Sequence, residues 1–282
     1  PLRRQRQMCI RDSYKSMRKK INPVFIFTVL ATLVGILIIN RPKFEDHPVK
    51  TKQNPVQVET QALHNINKPI IDVSGWQRPS EINYDTLTQN ISGAIVRVHS
   101  GAQVSEENDA AYKNGVDKAY KEHITEFQKR NVPVAVYAYV AGKNVEEMEK
   151  AAEAFYNAAS PYNPSYYWLD VEEKTMSDMN QGVEAFRAKL ASLGAKNIGI
   201  YVGVYFMEEH SISVDNYSAI WIPSYGTNSG HYESAPKTDL SYDLHQYTSH
   251  GNLGGFEHHL DLNLISSSKN KEETFRKLFL NP

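Results

Sequence analysis

From residue 69 onward, strand-like and helix-like stretches alternate, and this alternation constrains the fold more than any other feature. Apolar runs rich in Val, Ile and Tyr occur at 69–74, 93–99, 133–140, 165–172, 197–203, 219–225, 243–249 and 259–265. Helical periodicity lies between the early runs, at Asn108–Arg130, Val145–Ala159 and Ser177–Leu193, with a shorter stretch at Val204–His210 and a final one at Lys271–Leu280. Strands separated by helices predict an α/β fold with a parallel sheet. Eight of them can close it into a (β/α) barrel, expected to be regular in its first five units and poor in helices in its last three. A chain of 282 residues with 41% hydrophobic content can bury one such core.

Catalytic groups of such barrels gather where the strands end and the βα loops begin. Four acids fall in or at the ends of strand candidates: Asp72, Asp170, Glu172 and Asp261. Asp170 and Glu172 end the run YYWLDVEE and share one face of a strand, with Cα atoms roughly 6.5–7 Å apart. Like charges in a partly desolvated site push one carboxyl towards its neutral form while its neighbour stays ionised, which is the equipment for breaking a glycosidic bond. A lone D-x-E is more often two solvated acids; four acids converging from different strands shift that balance. Trp76, Tyr137, Tyr139, Tyr167, Tyr201, Trp221, Tyr225 and Tyr247 also lie at or near strand ends, where flat amphipathic rings suit sugar faces, whereas Trp168 is assigned to the core. No zinc, P-loop, dinucleotide or serine-nucleophile motif is present, so no metal or cofactor is expected.

The first 68 residues differ in character. They carry 13 Lys and Arg against 4 Asp and Glu, whereas residues 69–282 carry 18 against 28, a balance with no electrostatic footprint for nucleic acid. Residues 24–39, VFIFTVLATLVGILII, hold no charge and follow Arg18, Lys19 and Lys20. With the flanking residues 21–40 they approach the ~20 residues of a membrane span. The positive-inside rule then puts the N-terminus in the cytoplasm and the rest outside, and no small-residue cleavage site follows. Residues 1–20 form a basic cytoplasmic tail, of which 1–16 look foreign to the protein, with Met17 opening the anchor. Residues 41–68 are polar and aperiodic, and they are expected to form a flexible stalk before a domain at 69–282.

Taken together, DVSGWQ (72–77), PVAVYAY (133–139), YWLDVEE (167–173), IWIPSYG (220–226), DLHQYTS (243–249) and LDLN (260–263) resemble the family 25 glycoside hydrolases, muramidases that include lysozymes of the Chalaropsis type. The resemblance spans about residues 69–280. It implies hydrolysis of the β-1,4 bond between N-acetylmuramic acid and N-acetylglucosamine in peptidoglycan. It gives Glu172 the proton donor's position, Asp170 that of its paired acid, and Asp72 and Asp261 those of further cleft acids. Three groups stay open as the attacker of the anomeric carbon: a carboxylate, which needs the acids ~5–5.5 Å apart, a water, which needs ~6.5–9.5 Å, and the substrate's own 2-acetamido group steadied by Asp170, the route that the resemblance favours. Tyr137, Trp221, Tyr225 and Gln246 match positions that shape sugar subsites, and Trp76, Arg97, Tyr139 and Tyr201 complete the candidate substrate-binding set. Two departures stand out: many members read R-A-G-Y-G where this chain has Arg97, Val98, His99, Ser100 and Gly101, and many have Trp where it has His245. The implied protein is a monomeric, membrane-anchored hydrolase of peptidoglycan strands. A non-catalytic wall-binding barrel would have lost a cleft acid, and a chitinase-like hydrolase would show D-x-x-D-x-D-x-E before Glu172; neither pattern is seen.

Overall fold

The computed structural model describes residues 54–101 and 107–281. Eight strands form a closed barrel in chain order: β1 Ile70–Val73, β2 Gly93–His99, β3 Val134–Tyr139, β4 Tyr167–Val171, β5 Ile198–Val202, β6 Ala219–Pro223, β7 Leu244–Gly251 and β8 Leu260–Ile265. All eight coincide with the sequence candidates. β1 to β7 pair in parallel, but β8 runs antiparallel to both β7 and β1. The physical reason is the short link between β7 and β8: the eight residues 252–259 suffice for a hairpin, whereas a parallel return needs a dozen or more, usually helical.

The helices are α1 Pro55–His64, α2 Tyr84–Leu87, α3 Tyr120–Lys129, α4 Val145–Ala159, α5 Met179–Leu193, α6 Val204–Glu209 and α7 Lys271–Phe275, the last continuing as a π-helical turn, Arg276–Leu280. Only α3, α4 and α5 are full crossover helices, so the expectation of five regular units holds for fewer. The helix expected from Asn108 begins only at Tyr120. Before it the chain forms short antiparallel bridges, His99 to Val116 and Ala111 to Asp117, around Gly115 at φ +84.

Side chains alternate across the barrel wall. Outward residues such as Val96, Val136, Leu169 and Ile200 pack under the helices. Inward residues stack in layers, with Ile70, Ile265, Phe275, Leu278 and Phe279 at the closed end and Trp168, Trp221 and Tyr201 in the middle. Trp168 is fully buried, edge-on to Trp221 with ring centres 5.6 Å apart. The inward position facing it on β5 is Gly199, where a Cβ would sit 2.4 Å from the indole, so only glycine lets the tryptophan fill the centre.

The stalk expected at 41–68 is corrected in its second half. Asn54 caps α1, Val58 and Ala62 of that helix are buried, Gln61 Nε2 donates to Arg130 O at 2.9 Å, and Glu59 pairs with Arg276. Ala62 packs with Ile70, Phe275 and Phe279, so α1 covers the closed end of the barrel. The helix shows only two buried positions in ten residues, too few for a clear apolar stripe in a polar segment. Residues 41–53, the apolar run 24–39 and the basic tail lie outside the described residues. Among the described residues no helix is long and apolar enough to cross a membrane.

Candidate active site

The four acids meet at the open end. Asp72 leaves β1 inward, and Asp261 lies directly beside it in register on β8. Asp261 is second in its strand, a position that would face the closed end if β8 were parallel; the antiparallel direction carries it to the mouth. Asp170 is on β4 beside Tyr139 of β3 and Tyr201 of β5, and Glu172 follows on the same face, exposed at the rim.

These four line one cavity of about 140 Å³ together with Tyr137, Tyr201, Trp221, Tyr225 and Gln246. Its floor is a connected hydrogen-bond network. Trp221 Nε1 donates to Asn263 Oδ1 at 2.9 Å, and Asn263 Nδ2 donates to Asp72 Oδ2 at 2.8 Å. Gln246 Nε2 gives the same oxygen a second bond at 2.9 Å, while Tyr201 and Tyr225 hydroxyls donate to Gln246 Oε1 at 2.8 and 2.6 Å. Asp72 is thus a buried carboxyl with two amide donors.

Asp170 is treated differently. Its Oδ1 is buried and has no hydrogen-bond partner. Burial holds its carboxyl well above the usual carboxylate range, with the charges of Glu172 and Asp72 adding to the rise and Arg97 opposing it. Burial also raises Asp72, to about 6, against the lowering effect of its two donors. Asp261 is pushed to about 8 by burial and by the charge of Asp72, which favours its protonated form near neutral pH. Glu172 is raised by partial desolvation and by its neighbour Glu173. A cluster in which carboxyls of different environment share protons is the arrangement that separates a proton donor from an anion.

Three candidates stand outside this cavity. Trp76 is 58% exposed on the loop after β1. Tyr139 donates its hydroxyl to Glu173 Oε2 at 2.9 Å. Arg97 is bound at 2.9 Å by Asp117 Oδ2, an oxygen that also accepts the Gly75 N–H at 2.8 Å, so the pair ties β2 to the loop bearing Trp76. Asn263, Asp117 and Glu173 are the contributors that sequence reasoning left without a role. Asn263 had a visible signal, being two residues after Asp261 and hence on its face; Asp117 had none, lying in a stretch with helical periodicity.

Residues 71–256 match the family model described as glycosyl hydrolases family 25. The chain belongs to that family. A family 25 enzyme is a glycoside hydrolase, and the matched segment carries Asp72, Asp170 and Glu172 but stops short of Asp261. A solved glycosyl hydrolase 25 of Streptococcus pneumoniae, the virulence factor GHIP, is 75% identical, with 81% of this chain and 100% of that one covered and a TM-score of 0.80. The catalytic domain of endolysin ply40 from bacteriophage P40 of Listeria monocytogenes (21% identity, 74% and 97% covered, TM-score 0.62) shares the fold. So does the bacterial lysozyme from Streptomyces coelicolor (17%, 75% and 96%, 0.56). No curated protein matches the chain.

Proposed function

We propose that this family 25 enzyme is an N-acetylmuramidase that cuts the β-1,4 bond between N-acetylmuramic acid and N-acetylglucosamine in peptidoglycan. The observation that carries the reading is the partnerless Asp170 Oδ1 in a cavity of four carboxyls. A buried acceptor without a donor is costly and calls for an explanation. The N–H of a sugar's 2-acetamido group supplies the missing donor, which selects substrates that carry that group.

Binding then sorts the protons. A donor at Oδ1 stabilises ionised Asp170, and the glycan covering Glu172 desolvates it further and keeps it protonated. Glu172 gives its proton to the glycosidic oxygen as the bond to the anomeric carbon breaks. The acetamido oxygen bonds to that carbon, its N–H polarised by Asp170, and Asp72 with Asp261 supports the positive charge that develops. Water, deprotonated by Glu172, next attacks the anomeric carbon and restores the acetamido group. Tyr201 and Tyr225, fixed by Gln246, shape the cavity around the reacting sugar.

A digest of purified peptidoglycan tests this reading. New reducing ends identified by mass spectrometry are expected to be N-acetylmuramic acid; reducing N-acetylglucosamine alone, or no release, would overturn it.

A further inference from the structure

The wall of the barrel that holds Asp72 has a second, outer surface with its own cavity. Because neighbours in a strand face opposite ways, Gln246 and Asn263 point in to Asp72 while His245 and Leu264 point out. No crossover helix covers these strands, since residues 224–243 between β6 and β7 contain none. What remains on the outside is a cavity of about 260 Å³ between this connection and the segment after β8, lined by Tyr232, His245, Ser266, Ser267, Lys269 and Lys271 among others. His245 stands where the family resemblance leads one to expect Trp, and an imidazole occupies less of this space than an indole.

We propose that this outer cavity is a binding site for a sugar or polyol that carries an anionic group. Its walls have the required parts. Tyr232 is 45% exposed, yet its ring is held edge-on by His245 and Tyr247, with centres 5.8 and 6.0 Å apart, leaving a fixed aromatic face. His245 itself is fixed by a 2.8 Å bond from Nε2 to Ser224 O. Ser267 adds an exposed hydroxyl, while Ser266 is buried with its Oγ bonded to Ser268 Oγ at 2.9 Å. The charge is the more telling feature. Among the described residues no acid pairs with Lys269, and Lys271 Nζ reaches only the neutral Asn67 Oδ1 at 3.1 Å. Nearby Lys277, by contrast, is neutralised by Asp243 at 2.9 Å. Two uncompensated ammonium groups flank one cavity in a region, 69–282, that carries 18 basic against 28 acidic residues. A ligand anion would supply the missing counter-charge while its ring or polyol chain lies on Tyr232. The site is separated from the cleft by one sheet, and its occupation does not depend on which bond the cleft cuts.

The test uses the full chain carrying Glu172→Gln, with hydrogen exchange followed by mass spectrometry as the readout. N-acetylmuramic acid, glycerol 3-phosphate and neutral N-acetylglucosamine serve as probes. Either anionic probe is expected to protect segments 226–245 and 264–271, and which one does so distinguishes a carboxylate-bearing sugar from a phosphate-bearing polyol. N-acetylglucosamine should leave those segments unchanged. Lys269→Glu with Lys271→Glu should weaken this protection at least about tenfold in ligand concentration, the order expected for losing a charge-assisted contact. His245→Trp should block it by filling the cavity. Hydrolysis of a short soluble glycan by the same substitutions in the active chain reports folding and an intact cleft. Protection by the neutral sugar as strong as by the anions, no protection by any probe, or full affinity after charge reversal would overturn the proposal.

Discussion

Asp72, buried, and Asp170, half-buried with its Oδ1 out of reach of water, are acids of one cavity, and the donors around them set their tasks apart. Asp72 receives two amide N–H groups, which favour its charged form against the burial that raises it to about 6. Asp170 has an oxygen awaiting a donor. Glu172→Gln removes the transferable proton and should lower turnover by at least the ~10²–10⁴-fold that general acid catalysis contributes, with glycan binding retained. Asp170→Asn should be equally damaging through loss of charge at the acetamido group. A substrate with a very good leaving group needs little protonation, so it should rescue Glu172→Gln much more than Asp170→Asn; steady-state rates on such a substrate check this, and equal rescue would sink the assignment. Glu173 provides a separate handle, because its charge helps to raise Glu172 while Tyr139 holds it in place. Glu173→Gln removes that charge and lowers the Glu172 pKa. The acid is active when protonated, so the alkaline limb of the pH–rate profile should move to lower pH, and an unmoved limb would assign Glu173 no electrostatic role.

At the scale of elements, the strands were legible because each buried wall needs a run of apolar, β-branched residues, whichever way the strand runs. Direction was not legible from those runs: LDLN has the same alternation in either sense, and only the eight-residue, glycine-containing link before it points to a hairpin. That reversal decides whether Asp261 reaches the mouth. The helix at Val145–Ala159 was readable to the residue from its long apolar stripe, whereas residues 108–119 carry helical periodicity yet fold as a loop whose Asp117 is spent on Arg97 and Gly75. Of the site, the acids and cavity aromatics could be found by strand position, and Asn263 by its place two residues after Asp261; the bonds that link Trp221 to Asn263 to Asp72 could not, since they join residues far apart in sequence. α1 yields a prediction of its own. A chain starting at Lys68 loses the burial of Val58 and Ala62 and uncovers Phe275 and Phe279. Relative to one starting at Asn54 it should lose about 3 kcal/mol, the order for burying one or two aliphatic side chains, seen as a lower thermal midpoint. Equal midpoints would return residues 54–67 to the stalk.

For the whole molecule, the position of α1 bears on how such an enzyme meets its substrate. α1 lies at the closed end of the barrel, and the cleft opens at the other end, so the chain enters the catalytic domain at the pole away from the reacting acids. We propose that the uncharged run 24–39 anchors the protein in the cell membrane with its N-terminus inside. The argument is one of charge and cost: sixteen apolar residues bury no polar side chain beyond two threonines, and Arg18, Lys19 and Lys20 resist translocation on one side only. Protease added to intact protoplasts should therefore remove the barrel and leave a short membrane-bound fragment, while an antibody to the N-terminal tail should bind only after permeabilisation. A mature protein released to the medium with its N-terminus near residue 40 would show instead that the run is a cleaved signal.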